Sequence, residues 1–419
     1  MTFHDRARPE GRDHADRLDR LAAVAVRVGL GLREGQELVM TAPLDAVSLA
    51  RAITEEAYRA GASLVTTLIT DEQASLARFR YAREAAFDTA PGWLFDGMAA
   101  AFRNGAARLA IAGEDPTLLA REDAGKVARA NRSRSTAYLP ALEMIAGFAT
   151  NWTIVSAATP AWAKTVFPDE PEEVAVARLW DAIFAASRVD APDPVAAWGT
   201  HNAELRHRTE QLNDKRFASL RFRGPGTDLT VGLADEHEWH GGATTAKNGI
   251  VCNANIPTEE VFTTPHRARV SGHVTSTKPL SYQGTLMREI RVTFADGRIT
   301  EAAALTGQTV LTRVLDTDEG ARRLGEVALV PNSSPISASG LLFFNTLYDE
   351  NAASHIALGQ AYSKCILGGL ALSEEELVAR GCNRSLIHID WMIGSGQVDV
   401  DGITQGSETV PVMRKGEWA

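Results

Sequence analysis

Oxygen and imidazole donors gather in the second half of the chain. Of ten histidines, eight follow residue 200: His201, His207, His237, His240, His266, His273, His355 and His388. Cys252, Cys365 and Cys382 are far apart and form no C-x-x-C pair, and no H-E-x-x-H occurs. This excludes a multi-cysteine zinc fold and a helix-borne single-zinc protease site. A metal site built from what remains uses carboxylate and imidazole ligands, which suit zinc, cobalt, manganese or magnesium.

Four segments offer such donors. In Asn255 to Pro265, Glu259 and Glu260 stand between Pro257 and Pro265. On an extended segment their side chains point to opposite faces, so one can face a site and the other a supporting partner. A helix start capped by Thr258 is the competing reading. In Ile387 to Gly396, a strand places His388 and Asp390 on one face and Ile387, Ile389 and Trp391 on the other. That is either a metal or catalytic edge or the polar outer face of a surface strand.

In Tyr348 to Tyr362, a turn or short helix lets Glu350 and His355 converge. Tyr362 follows seven residues later, and a phenol can donate to a developing oxyanion. The bland alternative is a satisfied, half-buried histidine beside loop acids. Glu326 lies in the apolar run Leu324 to Val330. Buried there, an acid is costly unless paired or metal-bound; exposed, it is the outward residue of an alternating strand. Two metal ions about 3.5–4 Å apart need a bridging carboxylate with terminal ligands on each side. Glu260, Glu326, Glu350, His355, His388 and Asp390 together could meet that demand.

The elements that must position these residues fall into two regions. The first half alternates strands and helices. Strand-like runs lie at Glu37–Thr41, Ser63–Ile69, Ala107–Ala112 and Trp152–Val155, and helical patterns at Asp45–Arg59 and Pro116–Asn131. Gly61 stands at the expected stop of the first helix. Continuous apolar strands between helices imply a layered α/β domain with a mainly parallel sheet. It has no G-x-G-x-x-G after the first strand and no G-x-x-x-x-G-K-[ST]; Gly29 and Gly31 precede that strand. No nucleotide cradle is expected.

Asp190-Ala191-Pro192-Asp193-Pro194 breaks the pattern, and a helical stretch at Ala197–Asn213 follows. Beyond it the chain is β-rich. Gly224 to Asp228 reads as a turn, and Asp296-Gly297 between alternating runs is a hairpin signal. The expected division is residues 1–195, an α/β domain, and residues 196–419, a largely antiparallel α+β domain carrying the metal site.

Composition agrees with two ordinary globular domains. The 419 residues are 45% hydrophobic and 23% charged, so a large core can form and disorder is excluded. Lys and Arg number 43 and Asp and Glu 53, a net charge of −10 that disfavours a general nucleic-acid partner. Three cysteines rule out a disulfide scaffold. The first twenty residues mix Arg6, Arg8, Arg12, Arg17 and Arg20 with Asp5, Glu10, Asp13, Asp16 and Asp19, unlike a targeting segment. No run of about 20 apolar residues suits a membrane. A cytoplasmic location is expected.

Four ordered strings carry a family likeness: Gly224 to Thr230, Pro257 to Thr263, Glu350 to Gly359, and His388 to Gly394. Pro160-Ala161-Trp162-Ala163 adds to them. The chain resembles, over nearly its whole length, the metallo-aminopeptidase family of aminopeptidase T and aminopeptidase S. The resemblance implies a two-metal exopeptidase with Glu260, Glu326, Glu350, His355, His388 and Asp390 as ligands. Glu326 would bridge the metals, and Tyr362 would match the family's active-site tyrosine. Glu260 is preferred to Glu259 on its spacing to Glu326. Glu326 or Glu259 would take the proton of a metal-activated water, and Tyr362 would stabilise the tetrahedral oxyanion. The resemblance further implies a homodimer that encloses the sites and admits short peptides.

Two rival functions stay open at this point. Some relatives of the family are mononuclear iron dioxygenases that open dihydroxypyridine rings. They need two histidines and one carboxylate, which His355, His388 and Asp390 could supply. Retention of Glu260, Glu326 and Glu350 favours the hydrolase. The other rival is a non-catalytic peptide-binding protein.

Overall fold

A computed structural model describes residues 12–282 and 285–419. Asp5, Arg6, Arg8 and Glu10, weighed above, lie outside the described residues. The chain divides into two compact units: Met1–Thr200 with Ala243–Pro257, and His201–Gly242 with Thr258–Ala419. The helix Pro194–Lys215 contains one of the boundaries.

The first unit holds strands β1 (Glu37–Pro43), β2 (Leu64–Thr70), β3 (Ala107–Ala112) and β4 (Trp152–Ser156). They form one parallel sheet in the order β2-β1-β3-β4. The helix Val47–Arg59 buries Leu49, Ala50, Ile53, Glu56 and Ala57, a single face at helical spacing. Beyond β3 the helix lies further along than the pattern at Pro116–Asn131 predicts. Turns occupy residues 116–122, and the helix runs Ala124–Ala146. Asp123 sets that start by accepting a 2.9 Å hydrogen bond from the Lys126 amide.

The second unit is antiparallel. Its strands are β5 (Ser219–Gly224), β6 (Thr227–Leu233), β7 (His240–Gly241), β8 (Val261–Thr263), β9 (Pro265–Thr275), β10 (Arg291–Ala295) and β11 (Arg298–Ala303). They continue with β12 (Leu324–Leu329), β13 (His355–Gly359), β14 (His388–Met392), β15 (Asp399–Ile403), β16 (Thr409–Arg414) and β17 (Glu417–Trp418). A short two-stranded ribbon joins Leu280–Tyr282 to Thr285–Met287 in this unit, and another joins Thr244–Thr245 to Val251–Cys252 in the first. Eight strands form a sheet in the order β11-β10-β9-β6-β5-β15-β16-β17. Its β10–β11 hairpin turns at Asp296 and Gly297, both at positive φ, as a two-residue type I′ turn requires.

The other sheet runs β14-β13-β12-β8-β7 and carries the donors. Strand alternation gives it two unlike faces. Val327, Leu329, Ile356, Leu358 and Trp391 join Phe222, Val231 and Val292 of the larger sheet in one buried core. The opposite face is left to Glu326, His355, His388 and Asp390. Glu326 is 4% exposed and His355 1%, so Glu326 is not the outward residue of its strand and His355 is buried rather than half-buried.

Candidate metal centre

Register places the donors. Glu326 on β12 pairs with Ala357 on β13, and Ala357 pairs with Asp390 on β14. Directly opposed residues share a face, so the two carboxylates flank an alanine whose methyl leaves space between them. His355 lies two residues from Ala357 on that face. His388, two residues from Asp390, pairs with Gly359. Small residues on the central strand thus floor a basin rimmed by imidazoles and acids.

The distances define two trios. His355 Nε2 is 3.2 Å from Glu260 Oε2 and 3.6 Å from Glu326 Oε1. His388 Nε2 is 3.6 Å from Glu326 Oε2 and 3.3 Å from Asp390 Oδ1. One donor atom from each of Glu260, Glu326 and His355 lies within 4.8 Å of the others, and the same holds for Glu326, His388 and Asp390. Glu326 belongs to both.

The imidazoles are oriented from behind. His355 Nδ1 donates to the Ala353 carbonyl at 3.1 Å, and His388 Nδ1 to the Gln360 carbonyl at 2.8 Å. This fixes each ring and leaves Nε2 as the atom facing the acids, the usual arrangement behind a metal-bound histidine. Glu259 and Glu260 separate as an extended segment requires, and no helix begins at Thr258. Glu260 faces His355, whereas Glu259 Oε2 is 3.7 Å from His201 Nε2. Asn351 braces the segment, its Oδ1 accepting from the Glu259 amide at 2.7 Å.

Glu350 belongs to neither trio. Its carboxyl nevertheless feels Glu260, Asp390 and Glu326, and burial with that repulsion lifts its pKa well above the carboxylate range. The Tyr362 ring is 4.8 Å from that of His388. Tyr362 is 41% exposed, yet burial and the nearby acids hold its phenol well above 10.

The electrostatics fit a cation. Burial pushes the Glu326 carboxyl up, and the charges of Glu260 and Asp390 add to this. Burial disfavours the cations of both histidines, but the acids win. His355 is raised well above 6.5 by Glu260 and Glu326, and His388 to about 9 by Asp390 and Glu326. Burial would raise Asp390 too, but His388 holds it below its ordinary value. Glu260 Oε2 is buried and, apart from the His355 Nε2 it faces at 3.2 Å, has no polar partner of hydrogen-bond geometry among the described residues. So thinly compensated a buried carboxylate is costly, and a divalent ion supplies the further partner. The carboxylate–imidazole set suits that role.

Residues 14–418 match the thermophilic metalloprotease (M29) family. The chain belongs to that family. Aminopeptidase T of Thermus thermophilus is 54% identical over 401 residues, covering 96% of this chain and 98% of that one. The solved structure of wild-type AmpT from the same organism matches with a TM-score of 0.92 at 53% identity, over 96% of this chain and 99% of that one. A 2,5-dihydroxypyridine dioxygenase from Pseudomonas putida KT2440 matches at a TM-score of 0.51 and 11% identity, over 98% of each chain. That second likeness is one of fold alone.

For this M29 metalloprotease, the sequence reading missed the supports of the site. The Ala353 and Gln360 carbonyls are backbone groups with no signature. Ala357 looks like any small strand residue until its partners are known. Phe262 and Lys364 also approach Tyr362, with ring centroids of Phe262 and Tyr362 6.1 Å apart and Lys364 Nζ 5.8 Å from the Tyr362 ring. Phe262 had a detectable signal, because it follows Glu260 by two residues on an extended segment.

Proposed function

We propose that this metallo-aminopeptidase removes N-terminal residues from short peptides at a pair of divalent ions, either zinc, cobalt, manganese or magnesium. Glu260, Glu326 and His355 would hold one ion, and Glu326, His388 and Asp390 the other, with Glu350 at the edge of both sets. The observation that carries this reading is the sharing of Glu326, whose two oxygens face different histidines. Bound there, such ions acidify a water and polarise a carbonyl.

The chain's own groups supply the rest. Glu259 is turned toward His201, which supports Glu326 over Glu259 as the site carboxylate that would take the proton of the attacking water. Tyr362 keeps its proton at neutral pH, because burial and the acid cluster raise its pKa. It can therefore donate to the oxyanion that forms as the carbonyl is attacked.

The same reading takes the protein as a cytoplasmic homodimer; light scattering after size exclusion tests the dimer. Among the described residues, no helix is long and apolar enough to cross a membrane. The function is tested by stripping the enzyme with a chelator and assaying peptide and amino-acid p-nitroanilide panels as each metal is returned. Turnover restored by metal is expected, and no turnover by a fully metallated sample would refute it.

A further inference from the structure

Two residues after Tyr362 comes a cation with a defined seat. Lys364 Nζ is 4.8 Å from the Phe262 ring centre and 5.8 Å from that of Tyr362. Two aromatic faces within about 6 Å hold an ammonium by cation–π attraction. The backbone is fixed as well, since His240 Nε2 donates to the Lys364 carbonyl at 2.7 Å. Phe262 lies on the donor face of the sheet: it pairs with Ala328, which pairs with His355. Phe262 and Lys364 are half-buried and Tyr362 is 41% exposed, so this platform is open to a ligand.

Topology sets the platform against Glu350. Glu350 precedes the N-terminal end of β13, whereas Tyr362 and Lys364 follow its C-terminal end. Four strand rises place those two ends about 13 Å apart. An exopeptidase substrate carries an ammonium at one end and a carboxylate at the other. Lys364 repels the first and attracts the second. An extended chain covers about 3.3–3.6 Å per residue, so a tripeptide spans roughly 10 Å between its charged ends.

We propose that Lys364, seated on Phe262 and Tyr362, is a specificity-determining residue that binds the C-terminal carboxylate of a short peptide. It orients the chain with its amine away from Lys364 and selects free peptides short enough for their carboxylate to reach it. This rests on the aminopeptidase reading above.

The test compares Leu-Gly-Gly with its C-terminal amide on the metal-loaded full chain. The free acid should have a kcat/KM about tenfold higher, carried by KM, the size of one hydrogen bond to a charged group. Lys364→Met should erase that preference by raising KM for the acid with kcat nearly kept, and Lys364→Arg should retain it. Equal kcat/KM for acid and amide in the unaltered enzyme would overturn the proposal. So would a preference that follows an aspartate side chain placed in the amide, or a loss of kcat on both peptides alike in Lys364→Met. Calorimetry with a Leu-Gly-Gly analogue reduced at the scissile bond, as acid and amide, reads binding without turnover. If neither peptide is cleaved, the aminopeptidase reading fails, and that binding comparison decides the role of Lys364 by itself.

Discussion

His355 and His388 address opposite oxygens of one carboxylate. Their Nε2 atoms lie 3.6 Å from Glu326 Oε1 and 3.6 Å from Glu326 Oε2 respectively. Each ring is locked from behind by a backbone carbonyl. Each also has a second acid in reach, Glu260 for His355 and Asp390 for His388. Without a cation this is a crowded set of buried acids, and the raised pKa values of Glu326 and Glu350 register first their burial and then the repulsion. With the two cations proposed above the same crowding would become a coordination shell.

Glu326→Gln should abolish turnover, by about 1000-fold or more, because it removes one shared charge from both trios and the proton acceptor with it. Circular dichroism should show the fold retained, since the amide preserves the shape. Near-normal activity in this variant would refute the bridging role.

Tyr362→Phe should lower kcat by about 100-fold and change KM much less. The lost hydrogen bond forms only as the oxyanion develops. Steady-state kinetics on one tripeptide decides it, and an unchanged kcat removes Tyr362 from the mechanism.

Ala357→Leu should lower metal affinity by about tenfold or more, on the scale of damage to a ligand shell. Ala357 lies between Glu326 and Asp390 across three strands, and a larger side chain would fill the space they face. Metal content after dialysis is the measurement. Full metal content would show that this space is not the binding volume.

The pH dependence has a definite sign. In the metal-free protein His388 titrates at about 9, above its ordinary 6.5, because Asp390 and Glu326 outweigh burial. Its ionic contribution to metal-free stability is therefore complete below about pH 6.5 and is lost as pH rises through about 9. A metal needs the neutral ring, so loading near pH 7.5 must expel protons and must tighten as pH rises toward 9. Calorimetry in buffers of different ionisation enthalpy measures that release, and none at pH 7.5 would contradict the arrangement.

Several parts of this site were legible in the linear chain. An acid within Leu324–Leu329 and a histidine two residues before an aspartate on a strand are local patterns, and local alternation fixes their faces. The parallel sheet was legible because strand runs alternate with helical patterns, although β2 is exposed along much of its length and β3 is buried only on alternate residues. Pairing between distant strands was not. Ala357 matters only because β13 registers Glu326 on one side and Asp390 on the other. Lys364 depends on rings about a hundred residues apart in sequence. The displaced helix at Ala124–Ala146 is a capping effect: Asp123 starts it, and apolar spacing further upstream was misleading.

The central claim is that one chain holds two divalent ions that share Glu326. Metal analysis of chelator-stripped enzyme, reloaded and assayed on a tripeptide in parallel, tests it most directly. Two equivalents of a zinc-like or cobalt-like ion per chain, with peptide turnover returning as they bind, is the predicted result. Saturation at a single ferrous ion per chain with no peptide turnover would contradict it.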